Sequence, residues 1–178
     1  MRKTLLFTVL AFGISGLVSL GMPKTLAAGH EEKPLPQIPG ITAPDQKPSA
    51  CVDCHKNYPE MKFDARLTVV LKGWQKAADE KILAKAQGTM PAGIKLEGKH
   101  PDVSHLIKTI PNDCLMCHST QTSTPQRVPE FRKMIHAIHL VGGKDNHFIS
   151  NYGGTCTHCH KLDPKTGAWS IGSGQEQP

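Results

Sequence analysis

Six cysteines and three histidines in this chain share one spacing. Cys51-Val52-Asp53-Cys54-His55, Cys114-Leu115-Met116-Cys117-His118 and Cys156-Thr157-His158-Cys159-His160 each read Cys-x-x-Cys-His. That pattern is the attachment signature of c-type haem. The two thiols add across the porphyrin vinyl groups as thioethers, and the adjacent His binds the iron as its proximal axial ligand. The three copies use all 6 cysteines, leaving none for a structural disulfide. Two other chemistries use paired cysteines. Tetrahedral zinc would consume two pairs and strand the third, and a disulfide scaffold is at home in exported proteins. Neither gives a reason for a His after every second Cys. The expected cofactor is therefore three covalent haems, and the expected chemistry is electron transfer.

A six-coordinate carrier needs a second axial ligand for each iron. Seven further histidines could supply one: His30, His100, His105, His136, His139, His147 and His158. His136 and His139 are three apart in a helical stretch, which sets them on adjacent parts of one face. They cannot share an iron, because the axial positions lie on opposite sides of a porphyrin, so each should reach a different haem. His-x-x-His could also serve zinc, but Ala137 and Ile138 between them are not ligands, and the metalloprotease helix motif is missing. His100 precedes Pro101, which restricts its backbone, and it is preferred as the third distal ligand. His105 and His147 are reserves. His158, inside the third motif, is expected to face water, and His30 has the weakest case. Met61, Met90 and Met134 are the thioether alternatives.

Helical and loop segments must position these groups. Residues 64–87 carry Leu67, Val70, Leu71, Trp74, Ala78, Ile82 and Leu83 near three-four spacing, which predicts a helix covering a haem face, with Gly88 as its stop. A short helix is expected over 102–109, between Pro101 and Pro111. The clearest helix runs from Pro129 to Val141, with Phe131, Met134, Ile135, Ile138 and Val141 on its apolar side and Gly142-Gly143 ending it. Strand signals are sparse. The motifs start 63 and then 42 residues apart, so they are irregular units and no fixed-period solenoid.

The ends bound the organisation. Residues 1–28 read as a secretory signal: Arg2 and Lys3, an apolar run from Leu5 to Met22, then Thr25-Leu26-Ala27-Ala28 for cleavage. The run is long enough that an uncleaved anchor through residues 4–22 is the alternative. Residues 29–50, with five prolines from Pro34 to Pro48, predict an extended linker. Residues 51–170 form the haem domain, and 171–178 a flexible tail. Aromatic residues make up 5% of the chain, too few for an ordinary core of this length, and three porphyrins would supply the missing apolar surface. The fold class expected is mainly α with much irregular coil and little or no β-sheet, wrapped around three haems. Without haem the chain should be largely unfolded. The formal charge of +6 falls to +3 once Arg2, Lys3 and Lys24 leave with the signal. A ferric bis-His haem with ionised propionates carries about −1, so the excess lysines act as counter-charge. Basic runs with interleaved aromatics are missing, which argues against a nucleic-acid partner.

Three haem motifs, the Phe-x-x-Met-Ile-His-x-Ile-His helix (Phe131 to His139) and the Gly-Gly-x-Cys-x-x-Cys-His site (Gly153 to His160) resemble small exported multihaem cytochromes. The chain is similar to the class III type and to the haem domains of flavocytochrome c reductases, over about residues 51–170. The paired-His helix also occurs in outer-surface decahaem cytochromes. Flavocytochrome haem domains usually carry four haems, and this chain has three motifs. The resemblance implies low-spin bis-His haems at low potential, serving anaerobic respiration in the periplasm. It implies redox partner proteins, either a membrane quinol-oxidising cytochrome or a flavoprotein reductase. The function expected is electron relay without catalysis. The alternatives are a multihaem reductase with one open iron, the haem subunit of a flavocytochrome-type reductase, and a haem wire that borrows His30 across chains.

Overall fold

A helix of ten residues, Phe131–Leu140 (α5), is the longest among the described residues. In this computed structural model, residues 33–120 and 128–177 are described. The chain divides into two units, Met1–Pro34 and Leu35–Pro178, and the second carries all three motifs. The expected signal segment and His30 lie outside the described residues.

The described residues hold six short α-helices: α1 (Cys51–Cys54), α2 (Leu67–Trp74), α3 (Glu80–Gln87), α4 (Leu115–His118), α5 and α6 (His147–Tyr152). Among the described residues, six strands of two or three residues pair as three antiparallel ladders. They are β1 (Asn57–Tyr58) with β2 (Phe63–Asp64), β3 (Thr109–Ile110) with β6 (Gly174–Gln175), and β4 (His160–Leu162) with β5 (Trp169–Ile171). The described residues thus form a small, mainly helical unit with much coil and very limited sheet.

The single helix expected over 64–87 is two helices. Asp79 ends the continuity: its carboxylate accepts from the N–H groups of Lys81 and Ile82, at 2.9 and 3.1 Å, and so caps a new helix at Glu80. The helix expected over 102–109 does not form. Asp102 accepts from the Ser104 N–H and hydroxyl, and Asp113 accepts from the N–H groups of Lys108 and Thr109, both at 2.7 Å. These side chains take the donors a helix would have used, which is how Asp competes with secondary structure. A single turn at Val103–Ile107 remains, followed by β3.

The segment expected to be an extended linker and the tail expected to be flexible both meet the body of the unit. The Lys161 ammonium meets Asp45 at 3.0 Å, and Ala50 is 3% exposed, so the later part of the proline-rich segment packs on the body. The tail forms β6 against β3. It fits because residues 172 and 174 are glycines. A Cβ at Gly172 would meet Ala50 Cβ at 2.9 Å, and one at Gly174 would meet Val52 Cγ2 at 2.8 Å. Only a backbone without side chains can run that close to α1.

The protein core is small. Ala50, Val52, Ala86, Ile110 and Phe131 are its buried hydrophobic residues among those described. Large apolar side chains remain in the open, including Met61 (64% exposed), Phe63 (56%), Val141 (57%) and Trp169 (54%). Burial of apolar surface is the main term favouring folding, at about 25 cal/mol per Å². This packing leaves much of that term unused by protein–protein contacts.

Candidate haem-binding site

Each motif is held by a different local device. In α1, the His55 N–H donates to the Cys51 carbonyl at 2.7 Å, and the Tyr58 hydroxyl donates to the Cys54 carbonyl at 2.8 Å. In the second motif a 3-10 turn over Asn112–Cys114 runs into α4, which ends at His118. In the third, a 3-10 turn over Cys156–His158 leads into β4, and the ladder with β5 places His160 opposite Ile171.

Opposite each motif histidine stands a second histidine. His55 and His139 have ring centroids 6.2 Å apart. His118 and His100 are 6.1 Å apart, and His160 and His136 are 6.0 Å apart. An imidazole nitrogen lies about 1 Å from its ring centre, and a metal–imidazole bond is about 2 Å long, so two rings facing across one ion have centroids about 6 Å apart. All three pairs have that spacing. It is wider than van der Waals contact between stacked faces.

The hydrogen bonds leave the correct nitrogen available. Nδ1 of His55 lies 3.1 Å from the Ala65 carbonyl, and Nδ1 of His118 lies 2.8 Å from that of Pro129. Nδ1 of His139 lies 3.0 Å from the Ile135 carbonyl, and Nδ1 of His100 lies 2.9 Å from that of Pro101. A carbonyl only accepts, so Nδ1 carries the proton and the Nε2 lone pair is free, as metal-binding histidines are held. Burial, opposed by these carbonyls, lowers the pKa of His55, His118 and His139, which keeps their rings neutral and able to ligate.

Three of the six thiols, Cys51, Cys114 and Cys159, are partly buried and shifted by that burial, whereas Cys117 and Cys156 are exposed. Burial, together with the Cys159 and Cys114 thiols nearby, pushes Cys51 up to about 12. Burial and Asp113 push Cys114 up to about 11, and burial raises Cys159. Such sites suit a neutral thioether, whereas a thiolate ligand needs an electropositive setting. All six cysteines are free thiols, with no disulfide among them. Among the described residues, no three or more His, Cys, Asp or Glu side chains converge as a metal cage. A haem iron, which has four porphyrin nitrogens, asks the protein for two ligands. The residues present fit that group.

On α5, His139 stands against His55 of the first motif and His136 against His160 of the third. Its C-terminal carbonyls are held, because the Lys85 ammonium donates to the Ile138 carbonyl at 3.0 Å. The Asn146 amide donates to the Ile138 and Val141 carbonyls, both at 2.9 Å. His100 sits in coil, where its N–H donates to the Trp74 carbonyl at 2.9 Å. The two reserves, His105 and His147, are both exposed. His147 opens α6, whose next residue, Phe148, packs edge-on against His139 at 5.6 Å. His158 is buried at 9% exposure, contrary to the expectation that it faces water. The Phe148 ring covers it at 6.2 Å. Burial and the neighbouring Lys47 and Lys161 keep it neutral. Sequence reasoning missed Asn146 and Phe148. Asn146 before a short helical run was a capping signal that could have been read.

No protein-family model matches the chain, nor does any curated protein or solved structure. No helix among the described residues is long and apolar enough to cross a membrane.

Proposed function

We propose that this chain is an exported electron carrier that binds three c-type haems, each iron held between a motif histidine and a second histidine. The pairs are His55 with His139, His118 with His100, and His160 with His136. Bound haem supplies an iron that takes up and gives back one electron at a time. The chain's part is to hold and insulate. Cys51, Cys54, Cys114, Cys117, Cys156 and Cys159 anchor three groups covalently. Carbonyls of Ala65, Pro129, Pro101 and Ile135 fix the imidazoles, and the apolar side chains left in the open supply porphyrin-facing surface. The observation that carries the reading is the set of three ring pairs at 6.0 to 6.2 Å.

The same observation favours a carrier over a reductase. A substrate-binding iron needs an open side, and here every motif histidine has a partner across the gap. The resemblance to small exported multihaem cytochromes adds the setting: a periplasmic relay in anaerobic respiration, facing a membrane quinol-oxidising cytochrome or a flavoprotein reductase. Mass spectrometry of the purified protein should give the processed chain plus three haems. Its optical and electron paramagnetic resonance (EPR) spectra should be low-spin and unchanged by carbon monoxide, cyanide or nitrite. Another haem count, or a high-spin iron that binds these ligands, overturns the proposal.

A further inference from the structure

The three ring pairs share a spacing but differ in twist. The planes of His118 and His100 are 14° apart, and those of His160 and His136 are 29° apart. The planes of His55 and His139 cross at 89°. Two constraints act on the His139 ring. Its Nδ1 is bound to the carbonyl of Ile135 one turn back, and the edge of Phe148 meets it at 5.6 Å with the ring planes at 86°. Phe148 is itself fixed. Its N–H donates to the Asn146 side chain at 3.1 Å, and its carbonyl accepts from Gly154 at 3.0 Å. Asn146, 5% exposed, is bonded to the end of α5, so the phenyl ring and His139 are held in one frame.

We propose that Phe148 is a positioning residue that holds the His139 imidazole across the plane of His55, giving the first motif crossed axial rings and the most positive reduction potential of the three sites. The inference rests on the bis-histidine haem reading above. The reason is electronic. An imidazole raises the iron d orbital that overlaps its π system. Parallel rings raise the same orbital and split the pair; crossed rings raise both equally. Ferric low-spin iron has one hole in this set, so splitting stabilises it, whereas the filled ferrous set gains nothing. Crossed rings withhold that ferric stabilisation, and the potential rises. Burial acts in the same direction, because a less hydrated site disfavours the more charged ferric state. His55 and His139 are both partly buried, whereas His136 is exposed; His118 and His100 are partly buried too, so burial separates the first site from the third and the ring angle separates it from the second.

The test is EPR of the ferric holoprotein, with a redox titration. Crossed rings give one broad, strongly anisotropic low-field signal, and near-parallel rings give ordinary rhombic ones. The expected wild-type spectrum is one broad signal to two rhombic signals by spin integration. In Phe148→Leu the broad signal should become a third rhombic one, and the highest potential should fall while the other two stay. Phe148→Tyr keeps the ring and should retain the wild-type pattern. Proton NMR of the wild type gives a second readout that needs no variant. Haem methyl shifts should be compressed for the site whose protons show cross-relaxation with Phe148. Three rhombic signals in the wild type, or a broad signal that survives Phe148→Leu, overturns the inference and leaves the haem ligation intact. A high-spin signal in the wild type strikes the ligation itself.

Discussion

The helix that faces the first and third motifs and the coil that faces the second solve one problem by different means. On α5, two histidines three residues apart reach His55 and His160, and one set of helical hydrogen bonds places both. The second motif draws His100 from coil. Its position depends on single bonds: the His100 N–H to the Trp74 carbonyl at 2.9 Å, and the Ala78 N–H to the Gly98 carbonyl at 2.8 Å. A helix shares the cost of ordering among neighbours, whereas a loop bears it residue by residue. Damage to α5 should therefore strike two sites together, and damage to the coil should strike one.

The strongest way to break that contrast is Ala137→Pro, between the two histidines. An interior proline removes a backbone bond and clashes with the preceding turn, at a cost of about 3 kcal/mol. The cysteines are untouched, so mass spectrometry should still count three haems. EPR should show two of the three irons turned high-spin, with the His118–His100 site unchanged. One altered iron, or three, would end the claim that α5 serves two sites. The complementary change, His100→Ala, should convert one iron in three. His105→Ala and His147→Ala should convert none, because a different histidine faces each motif histidine.

That same contrast explains what could be read from the sequence. The Phe131–Leu140 helix announces itself through period, proline and glycine, and its two histidines follow from geometry. The motifs are legible because the proposed covalent attachment would need a fixed spacing. His100 stands out for its position before Pro101. Less legible is anything decided by a side chain competing for backbone donors. Asp79 splits the expected long helix, and Asp102 and Asp113 dissolve the expected short one. Contacts across the whole chain are hidden for a related reason. Residues 171–178 suggest a loose tail, and only the fold sets Ala50 and Val52 against Gly172 and Gly174. His158 suggests a solvated side chain, and only the fold covers it with Phe148. Pairings remote in sequence leave no period behind them.

A milder perturbation sharpens the comparison on the coil side. Gly98 has a φ of +74°, and a Cβ there would meet Leu83 Cδ2 at 3.1 Å. Gly98→Ala should cost about 1–3 kcal/mol, the usual penalty for holding a side chain in that region. Its spectral effect should fall on the His118–His100 site alone, because residue 98 is two positions from His100 and lies outside α5. Denaturant unfolding of the holoprotein gives the energy, and EPR gives the site. A change at the first or third motif would mean that coil and helix are coupled.

The smallest expected effect concerns how the N-terminal arm is held on the third motif. Asp45 accepts from the Lys47 N–H at 2.9 Å and pairs with the Lys161 ammonium, which also donates to the Thr157 carbonyl inside the third motif at 2.8 Å. Burial works against the charged carboxylate, but these donors outweigh it and hold the Asp45 pKa below its ordinary value. A carboxyl whose folded pKa is depressed adds stability that is complete above the unfolded value, about 3.9, and that drains away as the pH falls through the folded value. The pair is partly exposed, with side chains 24% and 16% accessible, so its worth is about 1 kcal/mol or less. Asp45→Asn should lower the urea midpoint of the holoprotein slightly at neutral pH. The gap between variant and wild type should close in acid, because the wild type then loses the charge the variant never had. Asp64, Asp102, Asp113 and Asp163 are depressed as well and weaken both proteins together in acid, so only the difference isolates Asp45. A gap that does not change with pH would mean that the arm is held by packing around Ala50 and that the ion pair contributes nothing.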